Sequence, residues 1–182
     1  SSKETETIKK RLLERADTDY TKQQKTVDEI IKSVREKKDE ALFSYIARFD
    51  GYPANAQNLL VTEQEIDEAF SSVDEGLLSV MRESAENIEA FHNHQKRENW
   101  FMESGGKYLG QLYLPVEHAG VYVPGGKAAY PSSVLMNIIP AKCAGVPDIS
   151  VATPAQGGAV NPVTIAAAKI AGAHNIYKMG GA

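Results

Sequence analysis

The spacing of apolar residues is helical over the first two thirds of the chain. From about Lys25 to Arg48 these residues recur every three to four positions, which is typical of an amphipathic helix. The charged run Arg35–Glu40 interrupts this stripe, so we predict two helices with a turn near Lys38. A shorter stripe upstream predicts a helix over Thr5–Ala16.

Two further helices are predicted from their starting residues. Thr62 with Glu65 three positions later has the pattern of a capping box, in which each side chain accepts the other's backbone N–H. Asp74 is expected to cap a second helix that extends to about Lys96. The following segment, 99–110, contains the glycine pair Gly105-Gly106 and is predicted to form an irregular turn or a hairpin.

After residue 118 the pattern changes to short apolar runs separated by helical stretches. One helix is expected over Ser132–Ala144, with a kink or a restart at Pro140, and another from Asn161–Pro162 to Ala171. The order is therefore β-α-β-α-β, which implies a parallel, right-handed α/β layer. The three predicted strands are Ala119–Val123, Ile149–Thr153 and Asn175–Lys178.

Each predicted strand is followed by a glycine pair. These pairs are Gly125-Gly126, Gly157-Gly158 and Gly180-Gly181. One pair alone indicates a tight turn, but ligands of parallel sheets bind outside the carboxyl ends of the strands, so three pairs at that edge indicate a ligand-facing rim. Tyr122 lies near the end of the first strand, next to the glycine turn, where its ring is expected either to pack on a flat ligand or to be an ordinary core side chain. The G-x-G-x-x-G fingerprint of dinucleotide-binding loops is absent.

Composition narrows the class of protein. The chain has 182 residues, 42% of them hydrophobic and 24% charged, with a net charge of −4, which is ordinary for a globular protein. The absence of a basic stripe argues against a nucleic-acid partner, and no apolar run is long enough to span a membrane. A single cysteine and a polar N-terminus favour a cytoplasmic location.

The histidines and the cysteine, which are the residue types suited to catalysis or metal binding, do not form a recognisable pattern for either. His92 and His94 are two positions apart on a predicted helix, so they point in opposite directions and are unsuited to holding one ion. His118 and His174 each precede a strand without a nearby ligand partner. Cys143 lies on a buried helix, where a core residue is expected rather than a nucleophile.

The sequence nevertheless resembles the N-terminal part of the histidinol dehydrogenase family. The resemblance covers nearly the whole chain, and it is strongest around Tyr122. Its residues are Gln111 and Pro115, Gly120-Val121-Tyr122-Val123-Pro124-Gly125-Gly126, Ala129–Asn137, Pro140-Ala141-Lys142, Thr153-Pro154, Asn161-Pro162 and Ile176-Tyr177 with Gly180-Gly181-Ala182.

This resemblance implies an enzyme that uses zinc and NAD to oxidise L-histidinol, through the aldehyde, to L-histidine, in the last step of histidine biosynthesis. It also implies a homodimer and a fold similar to that of aldehyde dehydrogenases. A helical N-terminal region, 1–117, would precede a Rossmann-like NAD-binding unit, 118–182. The cofactor-contacting tyrosine of the family falls on Tyr122, and Pro124, Gly125 and Gly126 would form the adjoining loop.

The resemblance also implies that part of the site is missing. Family members are much longer than this chain, and their zinc ligands and catalytic Glu–His pair lie further along, so no catalytic or metal residue is assigned here. We expect a fragment or truncated homologue that is inactive alone, with an incomplete sheet. The alternatives are a non-catalytic α/β module that binds a nucleotide or a subunit, and another enzyme of the aldehyde dehydrogenase type.

Overall fold

The computed structural model of the protein describes residues 5–6, 8–9, 20–125 and 129–180. The chain forms two compact units, 1–42 and 43–182. Helix α1 (Thr21–Lys37) and helix α2 (Asp39–Phe49) are separated by Lys38, whose φ of 51° is incompatible with a continuous right-handed helix. The predicted break is thus confirmed, whereas most of the helix predicted over Thr5–Ala16 lies outside the described residues.

The starts of the next two helices follow the predicted caps. Helix α3 (Glu63–Ser72) begins with a capping box, in which Thr62 Oγ1 accepts the Glu65 N–H at 3.2 Å and Glu65 Oε2 accepts the Thr62 N–H at 2.8 Å. Helix α4 (Glu75–Asn93) begins at Asp74, whose carboxylate accepts the Leu77 N–H at 3.0 Å. Both caps satisfy backbone donors that a helix leaves free at its N-terminus.

The glycine-containing segment after α4 is a hairpin. Strand β1 (Trp100–Ser104) pairs antiparallel with strand β2 (Lys107–Gln111), and Gly105 and Gly106 adopt the positive φ values that the turn requires. Every residue of both strands is exposed.

The last third of the chain forms the predicted parallel sheet. Its order is β3-β4-β5, and Val121 lies opposite Val151, which lies opposite Ile176. Leu60 adds an antiparallel bridge on the outer edge of β5. The elements in chain order are β3 (His118–Tyr122), α5 (Pro131–Cys143), β4 (Asp148–Thr153), α6 (Pro162–Ala171) and β5 (Asn175–Lys178). The predicted α/β class is therefore confirmed.

Helices α3 to α6 pack together in one layer, and alternate strand residues face them. Ile149, Val151 and Ile176 are almost fully buried in this core, while Tyr122 projects from the other side of the sheet. Helix α5 continues through Pro140, so the expected restart is wrong, whereas the alternative of a kink at this residue stays a prediction. The division into functional regions at residue 118 remains a prediction.

Candidate functional site

The carboxyl ends of the three parallel strands meet around Pro154, which directly follows β4. A Cβ placed on Gly125 would lie 3.1 Å from the Pro154 Cβ, and one placed on Gly180 would lie 2.7 Å from it. The proline ring therefore occupies the space that side chains would need on both neighbouring strand ends. Glycine at these two positions is explained by this close approach, which brings the backbones of the three strand ends together.

Asp50 fixes the end of β5 from a distant part of the sequence. Its Oδ2 accepts the Gly180 N–H at 3.0 Å. Burial raises the pKa of the Asp50 carboxyl above its ordinary value of 3.8, although the Gly180 hydrogen bond acts in the opposite direction. Because the folded-state pKa is the higher one, protonation of Asp50 favours the folded state. The stability gained from this protonation is full below the ordinary pKa and is lost as the pH rises through the folded value.

An ion pair joins the end of β5 to helix α3. Lys178 Nζ donates to Glu65 Oε1, and the lysine side chain is only 7% exposed. Burial would raise the pKa of Glu65, but the hydrogen bonds from Lys178 and Thr62 and the Lys178 charge together lower it below its ordinary value. Glu65 thus caps α3 with one carboxylate oxygen and neutralises a buried cation with the other.

A cavity of about 320 Å³ opens beside Pro154, between the ends of β3 and β4 and the first turn of α6. This volume lies at the lower end of the range for small-molecule sites. Its polar lining includes two threonines whose residues are nearly fully buried, Thr153 and Thr164. The remaining lining includes Pro124, Gly125, Gln156 and Asn161.

The residues assigned by resemblance lie at this edge as far as the structure describes them. Pro124 and Gly125 line the cavity, and Gly126 lies outside the described residues. Tyr122 does not line the cavity; it pairs with Ala152 and is 55% exposed, so its ring is available on the open side of the sheet. Exposure of this extent argues against the alternative of an ordinary core tyrosine.

Three of the four histidines have hydrogen-bond partners of their own. His118 Nδ1 is 2.9 Å from Asp148 Oδ2 at the amino ends of β3 and β4, opposite the cavity. His174 Nδ1 accepts the Ile149 N–H at 3.0 Å, and His92 Nδ1 is 2.7 Å from Gln95 Oε1.

The described residues contain neither a metal-ligating cluster nor a membrane-spanning helix. Among them, no three side chains of the metal-ligating types His, Cys, Asp and Glu are close enough to hold a metal ion together. In the same part of the chain, no helix combines the length and apolar character that crossing a membrane requires.

Sequence reasoning missed several residues that shape this edge. The sequence patterns assign no role to Asp50, Thr153, Pro154 or Thr164. The only available signal was position: Pro154 directly follows a predicted strand and Thr164 lies in the first turn of a predicted helix, where parallel sheets bind ligands.

Comparison with known proteins relates the chain to a family. The family model described as "Histidinol dehydrogenase" matches residues 13–182. The chain is 46% identical over 177 residues to the histidinol dehydrogenase of Heliobacterium mobile, covering 91% of this chain and 42% of that relative. It is 47% identical over 157 residues to that of Carboxydothermus hydrogenoformans, covering 86% and 37%.

A solved structure gives the same relation. The crystal structure of histidinol dehydrogenase from Elizabethkingia anophelis matches with a TM-score of 0.80 and 35% sequence identity. The match covers 87% of this chain and 36% of that one. The chain spans about two fifths of the length of the curated relatives that it matches.

Proposed function

The chain belongs to the histidinol dehydrogenase family, and on that premise we propose that its carboxyl-edge cavity and Tyr122 form part of an NAD site. The family is one of oxidoreductases. The proposed reaction is the NAD-dependent oxidation of L-histidinol to L-histidine. The supporting observation is that three parallel strands end around one proline, beside a cavity lined by Pro124 and Gly125.

The proposed roles follow from position. The exposed ring of Tyr122 offers a flat surface on which an aromatic ring of NAD can stack. The loop proposed to approach the cofactor consists of Pro124, Gly125 and Gly126, of which Gly126 lies outside the described residues. Gly125 also packs against Pro154, which leaves no room for a side chain there. NAD supplies the hydride acceptor when it is bound, and the residues described here bind and orient it.

The zinc that the family uses does not fit the described residues, because no metal-ligating cluster is present among them. The substrate L-histidinol, the homodimer and the cytoplasmic location are likewise parts of the proposal that come from the family resemblance.

A Tyr122→Ala substitution tests the cofactor site. We expect it to weaken NAD binding about tenfold, because a stacked aromatic contact contributes about 1 kcal/mol or slightly more. The measurement is the NAD dissociation constant by isothermal titration calorimetry. Tyr108→Ala is the matched control, since this tyrosine is 75% exposed on the hairpin and should leave the constant unchanged. Equal affinities in the two variants would contradict the proposal.

The 182 residues alone are expected not to complete the reaction. With L-histidinol, NAD and zinc present, we expect no formation of NADH at 340 nm, because the described residues offer neither a metal-ligating cluster nor an assigned catalytic pair. A histidinol-dependent rate that disappears in Tyr122→Ala would overturn this expectation and place the whole active site within the chain.

A further inference from the structure

Two threonine hydroxyls that line the carboxyl-edge cavity make no hydrogen bond to another described residue. Thr153 is 2% exposed and Thr164 is 4% exposed, and both line the cavity. Neither side chain makes a hydrogen bond within the described part of the protein, unlike Asn161 beside them, which accepts the Val163 N–H at 2.9 Å. Among the described residues, the buried side-chain atom without a hydrogen-bond partner is His92 Nε2. The two threonine hydroxyls are therefore not sealed off, and they can bond to a ligand or water that enters the cavity.

The backbone at the start of α6 disfavours a phosphate as that ligand. Pro162 has no N–H, and the Val163 and Thr164 N–H groups are already accepted by Asn161. A helix N-terminus binds phosphate through free N–H groups, which this first turn does not offer. The described lining residues also carry no charged side chain.

Hydroxyl groups are complementary to an uncharged, hydroxyl-bearing group, because each can both donate and accept. The volume of about 320 Å³ suits one nucleoside portion rather than a whole dinucleotide. We infer that Thr153 and Thr164 bind the hydroxyls of a ribose of the dinucleotide and so determine which nucleotide the edge accepts. This inference rests on the proposed NAD site and assigns the part of NAD that enters the cavity.

The test combines changes on the protein with changes on the ligand. Valine preserves the shape of threonine and removes the hydroxyl, whereas serine keeps the hydroxyl, so Thr164→Val and Thr153→Val are compared with Thr164→Ser and Thr153→Ser. Each valine variant should weaken NAD binding about tenfold, the effect of one buried hydrogen bond, while each serine variant should bind within about threefold of wild type.

The ligand arms use NAD lacking the 2′-hydroxyl on either the adenosine or the nicotinamide ribose. The deoxy ligand that lacks the hydroxyl bound in the cavity should bind to the wild-type protein about tenfold more weakly than NAD does. Its affinity should fall little further in the valine variants, because the hydroxyl with which the threonine would bond is already absent from the ligand. The deoxy ligand that shows this non-additive loss of affinity identifies which ribose of NAD lies in the cavity. Additive losses in both arms, or equal affinities of valine and serine variants, would overturn the inference.

These outcomes separate the inference from the proposed function. If wild-type protein does not bind NAD, both fall. If NAD binds and Tyr122→Ala weakens it while both valine variants bind like wild type, the NAD site stands and the ribose assignment is wrong.

Discussion

Gly180→Ala is expected to destabilise the protein and to distort its carboxyl edge. The added methyl group would lie 2.7 Å from the Pro154 Cβ and 3.0 Å from Asp50 Oδ1, so either the proline or the end of β5 has to move. Overpacking of this kind costs about 1–3 kcal/mol in the free energy of unfolding, measured by chemical denaturation. The shift should also weaken NAD binding, because Pro154 lines the cavity.

Gly120→Ala is the matched control for this prediction. Gly120 lies on β3, and nothing within 4 Å obstructs a methyl group there. Since glycine within a strand costs conformational entropy, this substitution should leave the free energy of unfolding unchanged or raise it slightly. If both substitutions lowered the stability equally, the packing of three strand ends around Pro154 would be wrong.

Glu65→Gln should have the larger effect on stability. Lys178 would keep its charge at a position where its side chain is 7% exposed, but would lose the carboxylate that neutralises it. Removing one partner of a buried ion pair costs about 3 kcal/mol or more. The double variant Glu65→Gln with Lys178→Met removes both charges and should recover much of the loss, because an apolar replacement leaves no unpaired ion.

The pH dependence of the same pair gives a second measurement. The pKa of Glu65 in the folded protein is below its ordinary value of 4.5, so the ionised form favours folding. The contribution is therefore present above the ordinary pKa and is lost as the pH falls through the folded value. Wild-type protein should lose stability over this acidic range more steeply than Glu65→Gln does.

Glu68→Gln serves as the control on the same helix. Glu68 accepts a hydrogen bond from Gln64 at the surface, and its replacement should change the free energy of unfolding by about 0.5 kcal/mol or less. A loss in Glu65→Gln no larger than this would mean that the Lys178 charge is solvated and the ion pair is unimportant.

The elements that sequence predicts well are those whose signals are local. The break at Lys38 follows from an interrupted apolar stripe, and the start of α3 follows from Thr62 and Glu65, which are three residues apart. The bounds of β5 were predicted as Asn175–Lys178 and observed there. In each case neighbouring residues fix the backbone, so the pattern contains the necessary information.

The contacts that sequence did not predict join distant positions. Asp50 and Gly180 are 130 residues apart, and Glu65 and Lys178 are 113 apart. Periodicity reports which side of an element is buried, but it does not report which side chains meet across the fold. The same limit applies to the cavity, since the two threonines are recognisable as a pair only when β4 and α6 are placed side by side.

Hydrogen–deuterium exchange with and without NAD tests most directly whether the carboxyl edge binds the cofactor. At saturating NAD, the account predicts slower exchange in peptides covering 122–125 and 153–164 and unchanged exchange in the hairpin, 100–111. The account would be contradicted if saturating NAD slowed exchange in other segments while both edge peptides exchanged as fast as they do without NAD.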